Sequence, residues 1–389
     1  MMKGNYLYIA CGFVLAGMMA CTNDTPGIRP TDEEASRIYL SAGVGEPAVS
    51  SRTPYTGDPT EIDGNQYEVP TMTQPLDVSV WASTTMGNFG NEGKNGSDGT
   101  VAIHTQAHFQ SGAPQLLGEA IYPKKDDTPV YFVGFHPQSS DTGWILQNDN
   151  NSASFTFTGM EDVMFAPRIS GSYGTDFDAS PQFHFRHLLT WLRIEMIADM
   201  DEEDVENRKA VAEAWGEIVS MTISSKNQVT VNNLSEDVFN SSNVVFSGDA
   251  TDMKLYHTDT DDVFPNAGSQ MIPYEKLTEV AYVLCAPVVG DDMEYSVDEG
   301  QDVKVPEYTL HVKTTKRDVY IPIDLMKIDG NAVSPFTVNT MGYQFIIQLN
   351  FKMGNVIGVS AAISLDANTD WFTHGTGSTD LKEEHFNEK

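Results

Sequence analysis

A chain of 389 residues is long enough for two domains of ordinary size, and 40% hydrophobic with 20% charged side chains describes folded rather than disordered protein. The 55 acidic side chains outnumber the 23 basic ones, for a net charge of -32. This excludes nucleic acid as a partner, because phosphate contacts need clustered Lys and Arg; the acidity describes a soluble, self-repelling surface.

The chain opens with Lys3 and an apolar run from Tyr6 to Ala20, which ends Leu15-Ala16-Gly17-Met18-Met19-Ala20 and meets Cys21. A basic start, an apolar stretch too short to span a bilayer, and small residues before a cut point predict a secretory signal over residues 1–20. A cysteine directly after that point predicts the lipoprotein form. The Cys21 thiol takes a diacylglycerol, and a second acyl chain such as palmitate on the new N-terminus makes the anchor stable. The alternative is an ordinary secreted protein in which Cys21 is incidental. Either way the mature chain leaves the cytoplasm, which removes most intracellular enzyme classes. No later stretch approaches 18 consecutive apolar residues. Cys11 falls within the signal, so Cys285 is left alone in Val283-Leu284-Cys285-Ala286, an apolar setting that predicts a buried thiol. Neither a disulfide framework nor a Cys-based zinc site is available.

Residues 22–34 are rich in Thr, Asn, Asp and Pro and read as a tether. Arg37-Ile38-Tyr39-Leu40-Ser41-Ala42 then predicts a short strand with Ile38, Leu40 and Ala42 on one face. A Gly/Pro/Ser loop over 43–58 carries Arg52 between Ser51 and Thr53. Further strands alternate at Leu76-Val78-Val80, Phe155-Phe157 and Leu192-Ile194-Met196, while Val130 to His136 is apolar on both faces and suits a central strand. Between them Met86 to Thr100, rich in Gly and Asn, predicts a long exposed loop.

The charged interval from Asp199 to Trp215 predicts a short helix and marks the domain boundary. Seven more strands follow, at 218–223, 244–246, 280–288, 308–312, 319–323, 344–351 and 356–365. The last pair is the clearest hairpin. Tyr343, Phe345, Ile347, Leu349 and Phe351 line one face, Met353-Gly354-Asn355 turns the chain, and Ile357, Val359, Ala361, Ile363 and Leu365 run back. Many short strands with little helix predict an all-β chain of antiparallel sandwiches. The expected organisation is a signal over 1–20, a tether and N-terminal strand over 21–52, and β-sandwich domains over 53–205 and 206–389, with a short helical or irregular connector.

No catalytic constellation emerges. His104 and His108 are four apart and His184 and His187 three apart, without a neighbouring carboxylate in a ligand pattern and without HExxH, so no metal is predicted. Asp259-Thr260-Asp261-Asp262 resembles the start of a calcium loop but has Phe264 where the sharp turn needs Gly, and Gln270 where the bidentate Glu belongs. Phosphate-loop and GxSxG patterns are absent. The five tryptophans are scattered singly, and packing is the expected fate of each. The expectation is therefore a non-enzyme without cofactor.

Taken in order, the Cys21 signal, the strand Ile38 to Ala42 followed by Arg52, Val130-Tyr131-Phe132-Val133-Gly134-Phe135-His136-Pro137, Glu161-Asp162-Val163-Met164-Phe165-Ala166, Phe185-Arg186-His187-Leu188-Leu189-Thr190-Trp191-Leu192 and the C-terminal hairpin before Asp370-Trp371 form a pattern. With it the chain resembles the fimbrillin family, the lipoprotein-exported pilus subunits of Gram-negative anaerobes. The resemblance implies two tandem transthyretin-like sandwich domains, outer-membrane attachment through the lipid, and trimming by an Arg-specific protease. It further implies assembly with other fimbrial subunits, self or related, by donation of a strand at the cell surface, and adhesion to a host or bacterial surface ligand. Carried onto this chain, it places lipidation at Cys21, the cut between Arg52 and Thr53, the displaced strand at Ile38, Leu40 and Ala42, and the candidate donor at Ile357, Val359, Ala361, Ile363 and Leu365. Residues 1–52 hold four basic and five acidic side chains, so trimming scarcely changes the charge. Arg37 is a second candidate cut site, one that would leave the strand attached. Two other readings stay open: a non-polymerising surface lipoprotein that binds glycans through exposed aromatics, and a tip or anchor component of a fimbrium.

Overall fold

The computed structural model describes residues 36–45, 58–62, 65–69, 75–90, 94–95, 101–123, 128–138, 143–175, 179–258, 260–288, 307–324, 326–329, 332–335, 340–354, 356–363 and 382–385. In chain order the strands are β1 (Arg37–Gly45), β2 (Asp58–Ile62), β3 (Asn65–Val69), β4 (Leu76–Ser83), β5 (Lys94–Asn95), β6 (Val101–Phe109), β7 (Gln115–Ile121), β8 (Val130–His136), β9 (Ile145–Leu146), β10 (Ala153–Thr156), β11 (Met164–Gly171), β12 (Gln182–His187) and β13 (Thr190–Ala198). After helix α1 (Val205–Trp215) come β14 (Ile218–Ser225), β15 (Gln228–Val231), β16 (Val244–Ser247), β17 (Thr251–Lys254), β18 (Thr278–Cys285), β19 (Glu307–Thr314), β20 (Asp318–Asp324), β21 (Met326–Asp329), β22 (Ala332–Pro335), β23 (Gln344–Lys352), β24 (Val356–Ile363) and β25 (Lys382–His385). The chain is all-β as expected, with one α-helix among the described residues.

The first sheet runs β2-β3-β1-β12-β11-β8-β4-β6-β5, with β7 pairing β1 off that path. The run Val130 to His136 takes the central place its two-sided apolarity predicts, between β11 and β4. A small sheet, β16-β15-β10-β9, covers this layer. Aromatic rings tie the two together: Phe135 lies 4.6 Å from Trp81 and 4.7 Å from Trp144, and Trp144 lies 5.4 Å from Phe155, centroid to centroid.

Two further sheets, β18-β13-β23-β24-β25 and β17-β14-β19-β20, pack with buried faces together, and β21-β22 forms a separate hairpin. Leu192, Ile194, Phe345, Ile347 and Leu349 of one meet Met221, Ile223, Leu310, Val312 and Ile321 of the other, all in the continuous core. Cys285 is fully buried there, and burial pushes its thiol far above the usual range. The predicted hairpin forms with an in-step register from Lys352↔Val356 to Phe345↔Ile363.

Helix α1 starts where Asp204 accepts hydrogen bonds from the amides of Glu206 and Asn207. It ends at Gly216, whose φ of +80° suits glycine; a Cβ there would also collide with Thr315 Oγ1. Trp215 anchors it, edge-on to Phe351 at 5.3 Å, donating Nε1–H to the Lys352 carbonyl at 2.8 Å and lying under Arg317.

Strands before and after helix α1 are not paired in separate sets: β13 pairs β18 and β23, both later in the chain, and β9 and β10 join β15 and β16. Alternation of apolar and charged residues in β13 shows a strand but not its partner. Across these pairings Arg193 meets Glu279 on β18 and Gln348 on β23 donates to Glu195. Nor is the Gly/Asn-rich stretch after Met86 all exposed. Phe89 is fully buried, its amide donates to the Asn150 carbonyl at 2.9 Å, and its own carbonyl meets His104 Nε2 at 2.7 Å.

Candidate functional site

The strand expected to be exchangeable, β1, is seated deep in the first sheet. Ile38, Leu40, Ala42 and Val44 are fully buried. The strand changes partners midway. Arg37, Tyr39 and Leu40 oppose Ile121, Leu116 and Gln115 of β7 in antiparallel register. Ser41 to Val44 run parallel to Gln182 to Phe185 of β12, while Val44 and Gly45 also meet Glu68 and Tyr67 of β3. Two further backbone bonds hold its start and its midpoint, Tyr122 N–H to the Ser36 carbonyl at 2.7 Å and Ser41 N–H to the Pro181 carbonyl at 3.1 Å.

The groove is shaped by aromatic residues. Ala42 and Val44 stand beside Phe183 and Phe185, whose rings lie 5.6 Å apart. Gly134 on β8 makes room for them, since a Cβ there would stand 2.7 Å from Phe185. Tyr122 closes the other end against Phe132, and its burial raises the phenol pKa to about 12 against the opposing side-chain bond with Thr175. The first residues of β1 fit less closely. The register shifts between Arg37 and Tyr39, and a cleft of about 270 Å³ opens there beside Leu116, Glu119 and Ile121.

Three of the sequence motifs converge at one end of this sheet. His136 on β8 and His187 on β12 both sit opposite Met164 on β11. His187 Nδ1 lies 2.9 Å from Asp162 Oδ1, and both side chains are buried. His136 Nδ1–H donates to the Asp77 carbonyl at 2.7 Å. Its pKa is lowered, chiefly by burial, with Asp162 and the Asp77 carbonyl opposing and His187 adding to the shift. These are buried structural histidines, and no group of three or more His, Cys, Asp or Glu among the described residues is arranged to hold a metal. His104 stacks on Trp81 and His108 pairs with Asp77. Asp261 of the rejected calcium loop accepts the Tyr282 hydroxyl at 2.7 Å.

Cys21, Arg52, Thr53 and Leu365 lie outside the described residues. Of the candidate donor segment, Ile357 is fully buried, and Val359, Ala361 and Ile363 lie on β24. There β24 is flanked on both sides, by β23 along its length and by β25 from Val356 to Val359. Trp81, Trp144, Trp191 and Trp215 are buried, which leaves none of these four as an exposed glycan platform. The cradle strands β7 and β12 were not separated out by sequence reasoning. Their signal is the alternation of Phe183 and Phe185 with Gln182, His184 and Arg186.

Several solved structures are similar to this chain. A "putative cell adhesion protein" from Bacteroides uniformis is 15% identical with a TM-score of 0.44, over 88% of this chain and 99% of that one. One of the same description from Bacteroides ovatus is 14% identical with a TM-score of 0.45, over 87% and 99%. A fimbrial assembly protein from Parabacteroides distasonis is 10% identical with a TM-score of 0.38, over 85% and 98%. No known family profile matches the chain, and no curated protein sequence does.

Proposed function

We propose that the chain is a structural subunit of a cell-surface fimbrium, exported as a lipoprotein through Cys21 and joined to neighbouring subunits by strand exchange after an Arg-specific protease cuts between Arg52 and Thr53. The observation that carries this reading is the seating of β1: an N-terminal strand with Ile38, Leu40, Ala42 and Val44 fully buried, Ser41 buried on the other face, and hydrogen bonds to β7, β12 and β3. Burial of Ile38, Leu40 and Val44 contributes about 1.5–3 kcal/mol each. Removing β1 uncovers that apolar groove together with unpaired backbone on β7 and β12, a template for a strand of matching alternation.

The bulge and cleft beside Arg37 make that end the place where a resident strand peels and an incoming one enters. Arg37 is itself paired with Ile121, so a protease reaches it only after the strand has been pulled out. This favours Arg52 as the cut. Mass spectrometry of the assembled material is expected to find Thr53 at the N-terminus, and Arg52→Ala is expected to leave an uncut precursor that does not polymerise. Normal polymer from Arg52→Ala would remove Arg52 from the scheme.

The donor is the C-terminal segment that includes β24. Because β24 is flanked on both sides, its donation requires β25 to detach and the ladder with β23 to open. Gln348 and Ser360 are direct cross-strand partners, so Gln348→Cys with Ser360→Cys closes this ladder by a disulfide. Oxidised double mutant is expected to fold and be cut yet form no polymer, with reductant restoring assembly. A ladder of polymers with the cross-link intact would assign donation to another segment.

A further inference from the structure

The solvent face of the sheet β17-β14-β19-β20 carries a second feature, one that strand exchange does not use. Tyr320 is an aromatic side chain that stands mainly in solvent, at 61% exposure. It lies on β20, an edge strand, directly across from His311 on β19. The two rings stack with centroids 4.2 Å apart and planes 5° from parallel. His311 Nε2 is bonded to Asp318 Oδ1 at 2.6 Å, which holds the imidazole in place behind the phenol ring. One face of Tyr320 is thus occupied, and the other looks outward past the sheet edge. An aromatic plane held in position before binding loses little freedom when a ligand arrives.

The neighbours narrow the ligand. The row through Tyr320 and His311 continues past Thr222, whose hydroxyl is buried, to Lys254, and the adjacent row places Asp318, Lys313 and Ser220 side by side. This face offers hydrogen-bond donors and acceptors with no single sign of charge. The overall charge of -32 repels polyanions. Pro322, two residues along β20, lacks the N–H that a continuous added strand needs, so this edge is a poor strand acceptor. What remains is a ligand with an apolar flat face and a hydroxylated rim, which matches the apolar body and polar tip of tyrosine.

We propose that Tyr320, backed by His311 and flanked by Lys313 and Asp318, is a binding site for a neutral hexose-based glycan. The C–H face of a sugar ring lies on the open face of Tyr320, and its hydroxyls reach the ammonium of Lys313 and the carboxylate of Asp318. The site is independent of how subunits join, and its success or failure leaves the strand-exchange reading where it stands.

A cross-strand aromatic pair also stabilises a sheet without any ligand, so the test separates the two roles. Full-length protein is run in native gels containing yeast mannan, amylopectin or xyloglucan, and titrated with the hexasaccharide of whichever retards it. Wild type is expected to be retarded by at least one. Tyr320→Thr, a strand-compatible change, is expected to weaken binding at least tenfold with unchanged circular dichroism and melting temperature, while Tyr320→Trp keeps it. Absence of retardation by all three polysaccharides, or equal retardation of wild type and Tyr320→Thr, overturns the proposal. So does a wild-type dimer in sedimentation that Tyr320→Thr converts to monomer, because the face would then serve a second copy of the chain.

Discussion

Truncating Leu40 to Ala is expected to destabilise the uncut chain by about 2–5 kcal/mol and to hasten loss of the N-terminal fragment once Arg52 is cleaved. Leu40 is fully buried at the point where β1 passes from β7 to β12, and its removal leaves a cavity between the two. The effect on release follows from covalent connection. Before cleavage β1 is tethered to the sheet it completes, and a partly detached strand reseats at once. After cleavage only noncovalent contacts retain it, so each kcal/mol lost from the groove raises the rate of departure. Denaturant unfolding of uncut protein and recovery of the 21–52 fragment after cutting measure the two effects separately. A change below about 0.5 kcal/mol in the first would show that β1 lies on the core without belonging to it.

The second large effect concerns pH. His136 is buried among Asp162, His187, the Asp77 carbonyl and the Asp77 carboxylate, and its folded pKa lies below the usual 6.5. An unfolded chain protonates this ring near 6.5, whereas the folded chain resists until lower pH. Its contribution to stability is therefore complete above about 6.5 and is lost as pH falls through the folded pKa. One such proton gives a slope of up to about 1.4 kcal/mol per pH unit. His184, also lowered by burial and by the Arg186 charge, acts in the same direction. Unfolding free energies between pH 7.5 and 5 are expected to decline below 6.5, with a shallower decline in His136→Gln. Parallel curves for the two proteins would show that His136 is not the group responsible. Acidification also weakens the strand that cradles β1, since β12 carries His184.

Much of this architecture is legible in the residues alone. Ile38, Leu40 and Ala42 alternate with Arg37, Tyr39 and Ser41, and a period of two over a short run identifies a strand with one buried face. The hairpin around Met353-Gly354-Asn355 is legible for the same reason, because its partners are adjacent in sequence and the turn sets the register. Asp204 before an amphipathic stretch and Gly216 after it bracket the helix. Tyr320 gave no such signal. One tyrosine in an apolar strand looks like any other until its register partner, His311, and its place on an edge are known.

What sequence by itself determined about this protein is local: where strands and the helix lie, which face of each is apolar, and that an acidic chain carries no recognisable catalytic motif. Tertiary structure alone decided which strands are neighbours. It placed β1 parallel to β12, distant in the chain, grouped β13 with β18 and β23, and brought His136, Asp162 and His187 into one buried cluster. Periodicity reports the environment of each side chain, and nearly every strand here needs the same environment. Choosing among partners depends on complementary charges, on small residues such as Gly134 that admit large rings, and on closure of long loops, none of which leaves a periodic trace in the chain.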